Sequence, residues 1–489
     1  MRKPDPHEAT LLLRELAESV NRLEGPEKKR AQRILARPSD GESDPQGHGY
    51  QASTTPQHVC TTQTNDKTGE DMELCFHWVN TTDDAPLPAD ASPANSVPDY
   101  IDNQVIPKFD QVWETEINDM GYRSPVKDGG LPDGEGPSDG LDIYLADVGE
   151  DGIYGYCTND NPTRSSRSQS AYCVIDNDFA QSDFAPNVHG EDALKITGAH
   201  EFFHAVQFAY DWREQLFFME GTAVWMEDEV FNEVNANYEY LHDSALHQPE
   251  VPLDAGDIRP DENFEYGSWL FWRFLSERFS RADIRKVWQK APTKTVFAAL
   301  RPVLSGHNSN LAEAYADFAE WNRVIDAGNF GLANYEEGIP YMAHVNFRYP
   351  PTDAEFWLGP TRPSTGNRRL QLDHLSMRYV LIQPFANAKN GTKLKVNVDT
   401  NDVAGARARL VRLLADDLDP DPENFDLEWC AESQPIRLDR NGAGAKTVSF
   451  KPGRCGGENR DFTFVYLTLV NGGFKDNARF DYSARTIKP

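Results

Sequence analysis

Two histidines four residues apart, with a glutamate beside the first, are the residues in this sequence best suited to chemistry: His200-Glu201-Phe202-Phe203-His204. On a helix, positions four apart share a face about one turn distant, so both imidazoles can reach one metal ion. Glu201 sits one position round from His200, where it can address a water on the metal rather than the metal itself. Zinc lowers the pKa of such a water to about 7, and a carboxylate beside it can accept the proton. Phe202, Phe203, Val206 and Phe208 make the segment apolar, so the expected helix is a buried one. Two imidazoles and a carboxylate buried together are costly unless a cation offsets them. The pattern therefore reads as a zinc site in which His200 and His204 are ligands and Glu201 is the general base.

A catalytic zinc takes three protein ligands and leaves one position open. The extended pattern, with Gly three and His six residues beyond the second His, is absent because those positions hold Gln207 and Tyr210. The acidic candidates for the third ligand are Asp211, Glu214, Glu220, Glu227, Asp228 and Glu229. Asp211 would lie two turns on along the same helix, roughly 10 Å from the metal by helix rise. Glu214 falls in a polar turn, and Glu227, Asp228 and Glu229 form a charge run of the kind that marks a solvated face. Glu220 is best placed. It opens an expected helix, Met219-Glu220-Gly221-Thr222-Ala223, whose small residues allow close approach to the first helix.

These residues resemble the gluzincin zinc peptidases, in which two His and a downstream Glu hold the metal. Met219-Glu220-Gly221-Thr222-Ala223 is similar to the Asn-Glu-Gly-Phe-Ala segment of the aminopeptidase N-like family, where that Glu is the third ligand. The resemblance is carried by residues 198–280. More loosely, the chain looks like secreted bacterial members of the group that end in a β-sandwich. It implies a zincin-like catalytic domain, zinc, and hydrolysis of peptide bonds. It also implies a role for Tyr266, in Tyr266-Gly267-Ser268-Trp269, similar to the tyrosine that hydrogen-bonds the tetrahedral intermediate in those enzymes. A phenol beside zinc can stabilise an oxyanion by donating a hydrogen bond. The Gly-Ala-Met-Glu-Asn segment that anchors a free substrate amine in aminopeptidases is missing, which favours an endopeptidase.

The elements that must position these groups follow from periodicity. Leu12, Leu16, Val20 and Leu23 predict one or two helices over 7–36, interrupted by Gly25-Pro26, and a polar linker over 38–68. Strands are expected at 74–79, 141–145 and 172–175. The last, extended to Asp178, is the expected edge to which an extended substrate adds. Ile101, Val105, Phe109 and Val112 predict a helix that Pro107 kinks or splits. Residues 191–322 read as mainly helical. Beyond Tyr349-Pro350-Pro351, strand-like runs at 378–382, 394–398, 408–413, 448–451, 462–469 and 480–484 alternate with Gly, Asn, Asp and Pro clusters. The expected fold class is thus an α+β domain followed by an all-β sandwich. Its parts are an N-terminal helical segment and linker at 1–50 (a pro-segment remnant is one reading of it), a metallopeptidase domain at 51–348 and an accessory sandwich at 349–489.

Composition narrows the setting. With 48 Lys or Arg against 78 Asp or Glu the net charge is -30, which excludes non-specific nucleic-acid binding by counterion release. It favours a soluble protein that associates weakly with itself, hence a monomer. No apolar run reaches the ~20 residues of a transmembrane helix. Six cysteines at 60, 75, 157, 173, 430 and 455 fall into three near-sequence couples, which suits disulfides in an oxidising compartment. The expectation is a secreted protein whose signal peptide is not in this sequence. Asp417, Asp419, Asp421 and Glu423 alternate in a Pro-broken loop and offer oxygens for Ca²⁺, although a solvated acidic turn explains them as well. Two rival readings stand beside the peptidase. One is a surface- or glycan-binding protein with a structural or inactive metal site, and the other is a zinc hydrolase of a non-peptide amide. Glu201 opposes the first, because a structural site has no use for it.

Overall fold

The computed structural model describes residues 9–39, 50, 56–80, 82–86, 97–129, 138–159, 166–257, 263–325, 334–345, 350–415, 430–455, 458–460 and 462–487. Helices lie mainly in the N-terminal half and strands mainly in the C-terminal half. The chain divides into two units, residues 1–237 with 284–299, and residues 238–283 with 300–489.

In the first unit, the expected helical segment holds α1 (Ala9–Val20) and α2 (Gly25–Ile34), with Pro26 in the first turn of the second; α1 buries Thr10, Leu11, Arg14 and Ala17, whereas Leu12 of the expected stripe is exposed. The segment expected to be linker instead contains β1 (Gln57–Asn65), paired antiparallel with β2 (Glu70–Trp78). Its Thr- and Gln-rich stretch is half exposed, so it lacks the apolar alternation that announces a strand. The pairing comes from a turn closed by Asn65, whose carbonyl accepts from Gly69 N at 2.7 Å, and from the Cys60–Cys75 disulfide between directly opposed residues. The helical run Ile101–Asp119 carries α3 (Ile106–Trp113) between two wider π turns, and Pro107 sits at the start of the central piece. Ile101, Val105, Phe109 and Val112 are all buried, as their spacing requires.

β3 (Leu141–Ala146), β4 (Gly155–Asn159) and β5 (Ala171–Asp176) complete a five-stranded sheet of order β1-β2-β3-β5-β4. β2, β3 and β5 run parallel, and β4 turns back against β5. The edge strand next to the chemistry is therefore β4, and the 172–176 strand expected there is interior. The Cys157–Cys173 disulfide joins directly opposed residues of this last pair. The couple Cys430 and Cys455 lies outside the residues whose side chains are described.

After the short α4 (Gln181–Phe184) come two buried helices, α5 (Glu191–Asp211) and α6 (Leu216–Val230). Phe202, Phe203, Val206 and Phe208 are fully buried, each contributing about 1.5–3 kcal/mol by removal from water. Trp288 stacks on Phe218 with ring centroids 4.0 Å apart, meets Phe203 edge-on, and donates from Nε1 to Thr222 Oγ1 at 3.3 Å. That indole holds α5 and α6 in one packing arrangement.

The second unit contains α7 (Phe264–Gly267), α8 (Trp269–Arg278), α11 (Leu311–Arg323) and α12 (Gly338–His344); α9 (Arg281–Trp288) and α10 (Val296–Gly306) each cross the division between units. Two sheets follow. One has order β11-β10-β15-β8-β6 and the other β12-β9-β16-β7, from β6 (Ala354–Leu358), β7 (Arg368–Leu372), β8 (Ser376–Pro384), β9 (Thr392–Asp399), β10 (Ala406–Ala415), β11 (Cys430–Pro435), β12 (Ala443–Lys451), β15 (Phe462–Asn471) and β16 (Ala478–Ile487). A hairpin of β13 (Gly453–Cys455) and β14 (Glu458–Arg460) lies between β12 and β15 in the chain. Val380, Ile382, Leu410 and Leu467 from the first sheet and Val396, Val398 and Phe480 from the second share one core. Two faces closed on one core make a two-layer β structure. Helix α11 is tied to it by Tyr379 Oη donating to the Ala319 carbonyl at 2.7 Å, and by Arg409 bridging Asp317 and Glu320.

Candidate metal centre

His200, His204 and Glu220 converge. His200 and His204 lie on the same face of α5 with ring centroids 4.8 Å apart. Glu220 reaches them from α6, which begins at Leu216, one turn earlier than expected, because Leu216, Phe217 and Phe218 are apolar enough to start the buried helix. Only residues 212–215 connect the helices, which forces them to pack antiparallel. His200 Nε2 lies 3.1 Å from Glu220 Oε2, and His204 Nε2 lies 3.4 Å from Glu220 Oε1. All three side chains are fully buried, and their donor atoms lie within 4.8 Å of one another.

This donor set fits a metal ion. A tetrahedral zinc with bonds near 2.0–2.1 Å spaces its ligand atoms about 3.3–3.4 Å apart, close to what is observed. His204 Nε2 and Glu220 Oε1 face each other with no hydrogen-bond partner among the described residues, a costly arrangement in a dry site unless a cation takes both lone pairs. The electrostatics of the protein point the same way. Burial raises the Glu220 pKa, but the neighbouring imidazoles of His204 and His200 outweigh it and hold the carboxyl at about 2. Burial lowers the His200 pKa, yet the Glu220 and Glu227 carboxylates carry it well above the usual range. The pocket is built to surround positive charge with carboxylates.

Two residues outside the expected set orient the ligands. Glu227 Oε1 lies 2.7 Å from His200 Nδ1, and Gln207 Oε1 lies 2.8 Å from His204 Nδ1. Each Nδ1 is thus held by an acceptor and each Nε2 faces Glu220, the nitrogen whose lone pair a bound metal would take. Gln207 also donates to the Met219 carbonyl at 2.9 Å and to Thr222 Oγ1 at 3.2 Å, so it ties the ligand helix α5 to α6. Glu227 had read as part of a solvated charge run, but it is buried. Its spacing of seven from Glu220 puts both on one helix face, a signal that the neighbouring Asp228 and Glu229 mask. Glu227→Ala is expected to weaken metal binding by about 10–100-fold while leaving the three ligands in place. Competition against a chromophoric chelator measures this.

Glu201 is fully buried against the edge of the sheet. Gly155 of β4 makes that approach feasible, since a Cβ there would meet Thr197 Cγ2 and the Val174 carbonyl at 2.9 Å and Glu201 Cγ at 3.3 Å. Thr10 of α1 donates from Oγ1 to Glu201 Oε2 at 3.0 Å. The remaining candidates have other partners. Asp211 pairs with Arg167 and accepts from Arg213 N at 3.1 Å; the Glu214 carbonyl accepts from Arg14. Tyr266 belongs to the second unit, where its buried ring stacks on Tyr240 with centroids 5.1 Å apart. The Asp417, Asp419, Asp421 and Glu423 loop lies outside the described residues. Cys60, Cys75 and Glu73 also come together, but a disulfide leaves no thiolate to bind a metal.

Beside the centre, Glu116 is buried with neither carboxyl oxygen partnered among the described residues. Burial pushes its pKa well above the usual carboxylate range, against the opposing pull of His200. A carboxyl that keeps its proton when folded and releases it when unfolded makes stability fall as pH rises above the unfolded value of about 4.3, with a limiting slope of ~1.4 kcal/mol per pH unit. Glu116→Gln is expected to flatten the decline in Tm between pH 5 and pH 8, read by thermal denaturation at several pH values. An equal decline in both proteins would refute it.

Set against known proteins, the chain matches no family model and no curated protein. Among solved structures it is similar to CorA, described as a surface-associated copper-binding protein important in Methylomicrobium album BG8 copper acquisition. The likeness spans 28% of this chain and 98% of that one, at 8% identity and a TM-score of 0.18. A likeness so slight carries no argument about fold or function.

Proposed function

We propose that this protein is a secreted, zinc-dependent endopeptidase of the gluzincin type, with a zincin-like catalytic region and a β-sandwich accessory region. The observation that carries the reading is the convergence of His200, His204 and Glu220 with the Glu201 carboxylate on the same helix. A binding-only site has no need of Glu201. The two disulfides support an oxidising compartment, and no described helix is long and apolar enough to cross a membrane.

His200, His204 and Glu220 would hold the ion, and zinc there supplies a Lewis acid that acidifies water and polarises a scissile carbonyl. Every other step belongs to the chain. Glu227 and Gln207 accept from Nδ1 of the two imidazoles and keep each Nε2 aimed inward. Glu201 accepts a proton from the attacking water on its carboxylate and returns it to the departing amine. The burial of the site excludes bulk water, which strengthens each of these interactions. Metal analysis combined with a casein-type digestion, with and without a zinc chelator, tests the reading. One zinc per chain is expected, with chelator-sensitive cleavage by the chain as isolated or after limited proteolysis, and cleavage that survives complete metal removal would refute it.

A further inference from the structure

Helix α1 sits on the groups that a peptide substrate would need. Thr10 is fully buried, and its hydroxyl makes two bonds. It donates to Glu201 Oε2 at 3.0 Å and accepts from the backbone N–H of Cys157 at 2.9 Å. Cys157 lies on β4, the edge of the five-stranded sheet, with β5 on its other side. An amide on the open side of an edge strand is the donor that an added extended chain engages. One hydroxyl therefore occupies both Glu201 and an amide in the middle of the open edge strand.

The helix is anchored beyond that contact. Arg14, one turn on, donates from Nη1 to the Glu214 carbonyl at 2.8 Å in the turn between α5 and α6. Ala9 and Leu13 pack on the aromatic cluster of Tyr144, Tyr156 and Tyr172, and Leu11 and Ala17 are buried. The helix thus spans from the β4 edge to the turn that precedes the Glu220 helix. A helix lying loosely on the surface would not bury a threonine against a carboxylate 191 residues away.

We propose that α1 is an intramolecular inhibitor that keeps the protein latent: its Thr10 hydroxyl stands where attacking water must bond to Glu201, and its backbone covers the edge that would bind extended substrate. This rests on the peptidase reading, and it adds the regulation of that site. Activation requires α1 to leave, by proteolytic removal or by displacement.

The test compares the zinc-loaded full chain with Thr10→Val, which keeps the shape and removes the hydroxyl, and with Arg14→Ala, which loosens the second anchor. Binding of a peptide hydroxamate is measured by calorimetry, and casein-type digestion is measured in parallel with and without 1,10-phenanthroline. Far-UV dichroism and Tm establish that each variant is folded; because the two substitutions act at different anchors, the loss of one variant leaves the other to decide. Hydroxamate affinity rising at least tenfold in the variants supports the inhibitor. Unchanged affinity, with digestion by the intact chain equal to that of the variants, overturns the inhibitor and leaves the peptidase standing. A tenfold rise in affinity without phenanthroline-sensitive digestion by any form supports α1 as the cover of the metal centre and sinks the peptidase instead.

Discussion

Glu201→Gln is expected to retain its metal and to lose peptide hydrolysis by about 10²–10⁴-fold in kcat, the range that follows removal of a positioned general base. The amide is nearly isosteric with the carboxylate, so the helix packing around Phe202 and Phe203 and the Gly155 approach are undisturbed. Glu201 is not one of the three converging donors, so zinc content by elemental analysis is expected to equal that of the parent protein. KM is expected to change little, because the lost interaction is with the proton in transit and not with the bound peptide. The amide can still accept from Thr10, so α1 stays seated; the comparison is therefore best made in the Thr10→Val background as well. Substantial hydrolysis by Glu201→Gln in either background would remove the mechanism, whatever the metal content.

Glu220→Ala has the opposite signature. It removes one of three donors and, among the described residues, the only carboxylate paired with both Nε2 atoms. Affinity is expected to fall by more than the 10–100-fold of an orienting partner such as Glu227, so that zinc is lost on gel filtration or dialysis. The consequence is also visible in stability. A ligand present at 1,000 times its Kd stabilises the folded state by about 4.1 kcal/mol, and that increment vanishes with the site. In the parent protein a chelator is expected to lower Tm, whereas in Glu220→Ala the Tm is expected to be the same with and without it. A Glu220→Ala protein that keeps stoichiometric zinc would identify a different third ligand.

Much of the centre was legible because helical spacing is local. The four-residue interval between His200 and His204 dictates a shared face whatever surrounds it. The small residues after Glu220 announce a helix that can pack closely. Strand alternation likewise announced most of the C-terminal sheets, where buried and exposed positions alternate. Less legible were features made by pairing. The Thr- and Gln-rich strand β1 has no apolar alternation of its own and exists because β2 and a disulfide lie opposite it. The edge of the sheet was expected at 172–178, but β4 doubles back on β5 and takes the edge, which no property of the 172–178 stretch reveals.

The residues that tune the centre fall in the same class. Glu227 looks like one of three solvated acids in a row, and only burial against His200 distinguishes it. Gln207 looks like the residue that breaks an extended ligand motif, and only the approach of α6 shows it bonding His204, Met219 and Thr222 together. By itself the sequence determined the helix that bears two imidazoles and a carboxylate, since side chains four apart must share a face. Only the tertiary structure decided which acid meets them, which ring nitrogens face inward and what lies over Glu201. Those depend on contacts between segments as much as 191 residues apart, and no short-range periodicity encodes them.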